Sequence, residues 1–156
     1  MKIDGSFIIA APLQPVWDAL LDPSIVGPCI PGCSEIEVLS PQDYRATVTL
    51  EVGPIKANFA VIVAVTEIIP YESVKSITKG EEGSRASVLS SINTMSVKAI
   101  APTSTEIRYS SDVSVTGRLG KFGLGLMKKR AEKVAADFSK NLQTKLLSSP
   151  NAASSA

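Results

Sequence analysis

The sequence predicts an α+β protein in which a curved, seven-stranded antiparallel sheet wraps around one long C-terminal helix. Three observations predict it. The first is order: a strand, two short helical pieces, six strands joined by short turns, and a final helix, with no alternating strand–helix–strand pattern. The second is Tyr44–Val52, where Tyr44, Ala46, Val48, Leu50 and Val52 alternate with Arg45, Thr47, Thr49 and Glu51. That alternation belongs to a sheet with one buried and one wet face. The third is Gly117–Leu147, where apolar residues from Leu124 onward recur at steps of three or four, the spacing of one helical face. A helix over Leu119–Leu147 would be roughly 40 Å long at 1.5 Å per residue. A broad concave apolar surface is needed to cover it, and a twisted sheet supplies one.

The elements follow in order. Lys2–Ala10 is rich in Ile and Phe and reads as a first strand, ended by Ala11-Pro12. Pro12–Leu21 is a short helix with Val16, Trp17, Leu20 and Leu21 on its apolar face; Pro15 is tolerable only in the first turn. Asp22-Pro23 stops it, and Pro23–Ile30 is a second, irregular helical piece. Pro31-Gly32 makes a tight turn. Ser34–Leu39 and Tyr44–Val52 are strands around a hairpin turn at Ser40–Asp43. After Gly53-Pro54, Ile55–Ile69 is a long strand with Ile55, Ala57, Phe59, Val61, Val63 and Val65 on one face. Its other face carries Ala60, Ile62 and Ala64, more apolar than solvent exposure requires, so a covered patch or subunit contact is expected there. Tyr71–Lys79 is a strand and Gly80–Gly83 a turn, which places Glu81 and Glu82 in solvent. Arg85–Ile100 and Thr105–Val115 complete the sheet.

The chain of 156 residues is expected to form one domain over residues 1–147, with the small, polar stretch 148–156 as a disordered tail. Aromatic residues make up only 5% of it, so aliphatic side chains must fill the interior or leave it partly empty. An apolar cavity between sheet and helix is therefore one expectation, and a core filled by aliphatics the other.

The net charge of +1 hides an asymmetry. Residues 117–147 hold eight basic and two acidic side chains, and the remainder holds eight basic and thirteen acidic ones. Lys128, Lys129 and Lys133 on this basic helix are candidate contacts to an anionic membrane surface or an acidic partner, or simply a solvated face. No nucleic-acid partner is expected. No apolar run reaches membrane-spanning length, and Asp4 with the strand-like alternation around it argues against a signal peptide.

The chain has no histidine. That removes the commonest general base, the commonest metal ligand and every histidine-dependent triad. Cys29 and Cys33 alone do not make a zinc site; they read as small turn residues, or as part of a contact loop with Ile25, Val26 and Ile30. Gly120, Gly123 and Gly125 do not follow the phosphate-binding glycine order. They read either as an irregular start to the last helix or as a flexible lid beside Leu119, Phe122, Leu124, Leu126 and Met127. No activated nucleophile and no inward carboxylate pair is found, so an enzyme is not expected, and neither a metal nor a covalent cofactor.

Several stretches together carry a resemblance: Val16–Pro23 (VWDALLDP), Cys29–Cys33 (CIPGC), Asp43–Ala46 (DYRA), Val52–Lys56 (VGPIK), Tyr109, Asp112-Val113 and Gly117-x-Leu119. The chain resembles the carbon monoxide dehydrogenase CoxG family over about residues 2–147. That family belongs to the START-like, or SRPBCC, superfamily, whose helix-grip fold is shared with the Bet v 1-type allergens. The resemblance implies a hydrophobic ligand and an accessory protein associated with molybdenum–copper CO dehydrogenase at the membrane. A bound menaquinone or other prenylquinone is the ligand expected for a cavity protein coupled to CO oxidation. The alternative is a recruitment or assembly protein acting through its surface without a ligand. The expected location is the cytoplasm, in peripheral contact with the cytoplasmic membrane.

The residues expected to line the ligand site are Trp17, Tyr44, Val48, Phe59, Val61, Val63, Tyr109, Phe122, Leu126, Met127 and Phe138. Trp17 and the inward aromatics read equally as plain core. Lys128, Lys129, Lys133 and Ile30 are expected at the membrane or partner contact. Tyr hydroxyls would be natural hydrogen-bond partners for a quinone carbonyl.

Overall fold

The computed structural model describes residues 1–52, 54–83, 86–119 and 124–148. The elements are β1 (Lys2–Ile9), α1 (Leu13–Leu20), α2 (Pro23–Cys29), β2 (Cys33–Ser40), β3 (Asp43–Val52), β4 (Ile55–Ile69), β5 (Ser73–Glu82), β6 (Ser87–Ala101), β7 (Ser104–Gly117) and α3 (Leu124–Ser148). All seven strands form one antiparallel sheet in the order β1-β7-β6-β5-β4-β3-β2. The helix-grip arrangement expected from the sequence is the one present.

Three prolines mark the starts of the helices. Pro12 stands in extended geometry ahead of α1, and Pro15 lies in its first turn, where no amide is needed. Asp22 caps α2 by accepting from the Ser24 amide at 3.0 Å, and Pro23 opens that helix. A Cβ on Gly27 would overlap Ile36 Cδ1, so α2 rides directly on β2 through a residue with no side chain.

The core comes in two parts. One gathers Ile9, Val16, Trp17, Ala19, Leu20, Val74, Val97, Ile107, Leu142 and Leu146, from α1, the β1/β5/β6/β7 side and the second half of α3. The other gathers Ala46, Ala57, Phe59, Val61 and Leu119, with Met127 of α3 packed at its margin. The later half of α3 is clamped by a run of rings: Tyr109 against Phe7 at 6.2 Å, and Phe7 edge-on to Phe138 at 6.2 Å. Leu126, near the helix start, is 40% exposed. The later half of the helix is held by the ring clamp, and the first half meets the core through Met127 but leaves Leu126 outward, where the sequence predicts burial along the whole face.

The expected turn over Gly80–Gly83 is largely strand. β5 runs on to Glu82, which is buried and ion-paired with Arg118, the residue just beyond β7. The Arg118 Nε donates to Glu82 Oε1 at 2.8 Å. The expectation that Glu82 is solvated fails because Arg118, remote in sequence, neutralises it and lets the strand continue inward. That hydrogen bond, helped by Ser87 and the nearby guanidinium charge, holds the Glu82 carboxyl below its ordinary range against the opposing effect of burial. Of the tail expected to be disordered over 148–156, Ser148 is the last residue of α3; the rest of it, and the glycines at 120 and 123, lie outside the described residues. Among the described residues, no helix is long and apolar enough to cross a membrane.

Candidate ligand cavity

Between the two parts of the core lies a cavity of about 420 Å³. This is within the range of small-molecule sites, roughly 300–1,000 Å³. Its roof is the junction of α1 and α2, with Leu20, Leu21, Pro23, Val26, Gly27 and Ile30. The edge strand adds Cys33 and Ile36. The concave face of β3 and β4 adds Tyr44, Ala46, Val48, Leu50, Phe59, Val61, Val63 and Val65, and β5 and β6 close it with Val74, Ser76, Thr78, Leu89 and Met95.

The sheet register explains the selection. Tyr44 pairs with Val63, Ala46 with Val61 and Val48 with Phe59, so the inward alternation of β3 meets that of β4 in three consecutive rows. Paired residues share a face. Because most of these side chains are aliphatic and short, the two faces do not meet the roof, and space remains.

Five of the eleven expected lining residues come together here: Tyr44, Val48, Phe59, Val61 and Val63. Trp17, Tyr109, Leu126, Met127 and Phe138 do not line the cavity. Trp17 is buried in the first part of the core and lies 5.8 Å from Tyr71, ring to ring. Tyr109 covers Gly5, where a Cβ would overlap its phenol, and burial pushes its pKa up, with the Glu132 charge adding to this. Phe138 is spent on the ring clamp, Met127 on the margin of the second cluster, and Leu126 faces solvent. Phe122 lies outside the described residues. Ile30, expected at an external contact, is part of the cavity roof. Lys128 and Lys129 are exposed, and Lys133 is exposed while pairing with Asp137 one turn on at 3.3 Å.

Cys29 and Cys33 are free thiols. Cys29 donates to the Ile25 carbonyl at the end of α2, and Cys33 opens β2 against the cavity. Burial raises both pKa values, with Lys145 partly opposing this at Cys29, so neither is an activated nucleophile. Among the described residues, no group of histidine, cysteine and carboxylate side chains is placed to hold a metal ion.

The sequence reading missed a polar cluster on the concave face. Asn93 of β6 sits between Ser76 of β5 and Ser111 of β7 in one cross-strand row, and Thr78 faces Ser91 in the next. Asn93 Nδ2 donates to Ser76 Oγ at 3.3 Å and to Thr78 Oγ1 at 3.1 Å. Its Oδ1 accepts from Ser91 Oγ at 3.1 Å and from Ser111 Oγ at 2.9 Å. Ser76 and Thr78 also line the cavity. The signal was present in β5: Lys75, Ile77 and Lys79 alternate outward, which leaves Val74, Ser76 and Thr78 inward.

The convex face carries a second apolar feature. Ala64, Ile77 and Ile92 pair in succession across β4, β5 and β6, with Ile62 beside them. Ile62 is 46% and Ile92 63% exposed. The apolar face at Ala60, Ile62 and Ala64, for which the sequence predicts a covered patch or subunit contact, thus extends over two further strands, and Ile62, Ile77 and Ile92 on it are exposed.

A curved antiparallel sheet, a gripped terminal helix and an apolar cavity between the sheet and the short helices make up a START-like fold. Structural comparison agrees. The chain is similar to a conserved protein from Geobacillus kaustophilus (26% identity, 93% of this chain and 94% of that one, TM-score 0.86). It is also similar to a START superfamily protein from Mycobacterium smegmatis (16%, 92% and 95%, 0.74). A third likeness is to the ZhuI aromatase/cyclase from Streptomyces sp. R1128 (11%, 93% and 92%, 0.69). The last two show the fold alone. No curated protein matches by sequence. The model of the carbon monoxide dehydrogenase CoxG family matches residues 5–147, and the chain belongs to that family.

Proposed function

We propose that this protein is a non-catalytic accessory of a molybdenum–copper CO dehydrogenase, and that its cavity carries a hydrophobic redox lipid such as menaquinone or another prenylquinone. The observation that carries the reading is the apolar chamber of about 420 Å³ left open between the two parts of the core. Closing so large a void with ordinary aliphatic side chains would stabilise the protein, so leaving it open fits a chamber kept for an occupant. Membership of the CoxG family supplies the enzyme as partner. CO oxidation releases electrons that a lipid-soluble carrier can accept, which is why a quinone is the ligand favoured. A cavity of this size takes a ring and the first part of a prenyl tail; the rest of a long tail would lie outside. The basic outer face of α3, with Lys128, Lys129 and Lys133, suits peripheral contact with anionic lipid headgroups at the cytoplasmic face.

The test is native mass spectrometry of the purified protein followed by solvent extraction. A prenylquinone released in near-stoichiometric amount supports the carrier reading. Protein that stays empty after incubation with menaquinone-containing vesicles refutes it. A second reading is favoured by one observation, the convex row Ile62, Ala64, Ile77 and Ile92. In that reading the protein recruits or helps assemble the dehydrogenase through this face and needs no ligand. Loss of dehydrogenase binding in Ile77→Lys and Ile92→Lys variants, with an empty cavity, would select it.

A further inference from the structure

Asn93 has four hydrogen-bonding positions: two N–H donors and two lone pairs on Oδ1. All four are in use. The consequence differs for the four hydroxyls around it. Ser91 and Ser111 give their protons to Oδ1. Ser76 and Thr78 receive protons from Nδ2, so their own remain to be given. Among the described residues, neither has an acceptor for its proton. Both line a cavity whose other walls are almost wholly apolar. Both residues are half-buried, so each proton is free to be given to an acceptor arriving with a ligand in exchange for water.

We propose that Ser76 and Thr78, held as donors by Asn93, form the subsite that reads a carbonyl oxygen on the cavity's ligand. This selects apolar rings bearing acceptors but no donors, such as quinones and aryl ketones, over plain hydrocarbons of the same shape. The proposal rests on the reading of the cavity as a ligand site and names the chemistry selected within it. Asn93 is the positioning residue. It never needs to touch the ligand; saturating its own amide fixes the direction in which the two hydroxyls point.

The experiment compares menadione with methylnaphthalene, rings of like shape with and without carbonyls, by titration against the whole protein. Wild type should bind menadione at least tenfold more tightly. Ser76→Ala and Thr78→Val should each weaken menadione up to about tenfold, the scale of one hydrogen bond, and leave methylnaphthalene unchanged, which also shows that the variants fold. Asn93→Asp should act like the double variant that combines Ser76→Ala with Thr78→Val, because a carboxylate accepts from all four hydroxyls and turns the two protons away from the cavity. The infrared carbonyl stretch of bound menadione should be lower in wild type than in the double variant. Equal affinity for the two probes in wild type overturns the proposal. A loss confined to Tyr44→Phe overturns it too, since the carbonyl would then be read from β3. If neither probe binds wild type, the cavity reading itself falls, and the hydroxyl subsite with it.

Discussion

Filling the cavity from its floor separates a void from a packed core by the sign of one number. Ala46 lies on β3, is 9% exposed, pairs with Val61 and faces the cavity. Ala46→Leu adds three carbons to that space. At about 0.8 kcal/mol per buried methylene the transfer gain is roughly 2.4 kcal/mol. Ordering the leucine side chain costs about 0.5–1 kcal/mol, which leaves a gain of about 1.5 kcal/mol. In a filled core the same substitution is overpacking and costs about 1–3 kcal/mol. The two cases therefore differ by several kcal/mol and in direction. Urea unfolding followed by circular dichroism measures it: at a slope near 2 kcal/mol/M the midpoint should rise by roughly 0.7 M. Affinity for an apolar probe such as methylnaphthalene should fall in the same variant, since the chamber is smaller. A midpoint that falls by a similar amount, with the slope unchanged, would refute the claim that the space is empty.

Other consequences follow from contacts already described. Gly27→Ala should destabilise by about 1–3 kcal/mol, because the new methyl meets Ile36 Cδ1, and Ile36→Val in the same chain should recover part of the loss; additive effects in the double variant would refute the contact. Glu82 should contribute stability above the ordinary glutamate pKa, about 4.3, and lose it as pH falls through its depressed folded value. Glu82→Gln should therefore be less stable than wild type at neutral pH, with the gap closing in acid, as read from urea midpoints across a pH series. Binding to vesicles rich in anionic lipid should weaken as salt is raised from about 50 to about 500 mM, and weaken again in a variant with Lys128, Lys129 and Lys133 changed to Gln; flotation assays insensitive to both would remove the electrostatic contact.

Strands with one wet face were legible because period-two alternation is local: Tyr44–Val52 declares its inward set without reference to any neighbour. The same alternation in β4 placed Phe59, Val61 and Val63 on the cavity side. The aromatics were less legible. Tyr109 and Phe138 do point inward, but whether an inward ring meets a void or another ring depends on what packs against it. Here Phe7 on β1 joins them into the clamp that fixes α3. The burial of Glu82 was out of reach for the same reason, since its partner Arg118 is 36 positions away.

The sequence by itself therefore determined the sheet, the gripped helix, the family and the inward faces of β3 and β4. These rest on periodicity and short motifs, which each segment carries alone. Only the tertiary structure decided where the empty space lies, that α1 and α2 roof it with no described side chain of α3 in its lining, and that Ser76, Thr78, Ser91, Asn93 and Ser111 meet in one hydrogen-bonded cluster. Cavities and cross-strand clusters are properties of register and of packing between segments distant in the chain, and no local pattern encodes a volume that its side chains fail to fill.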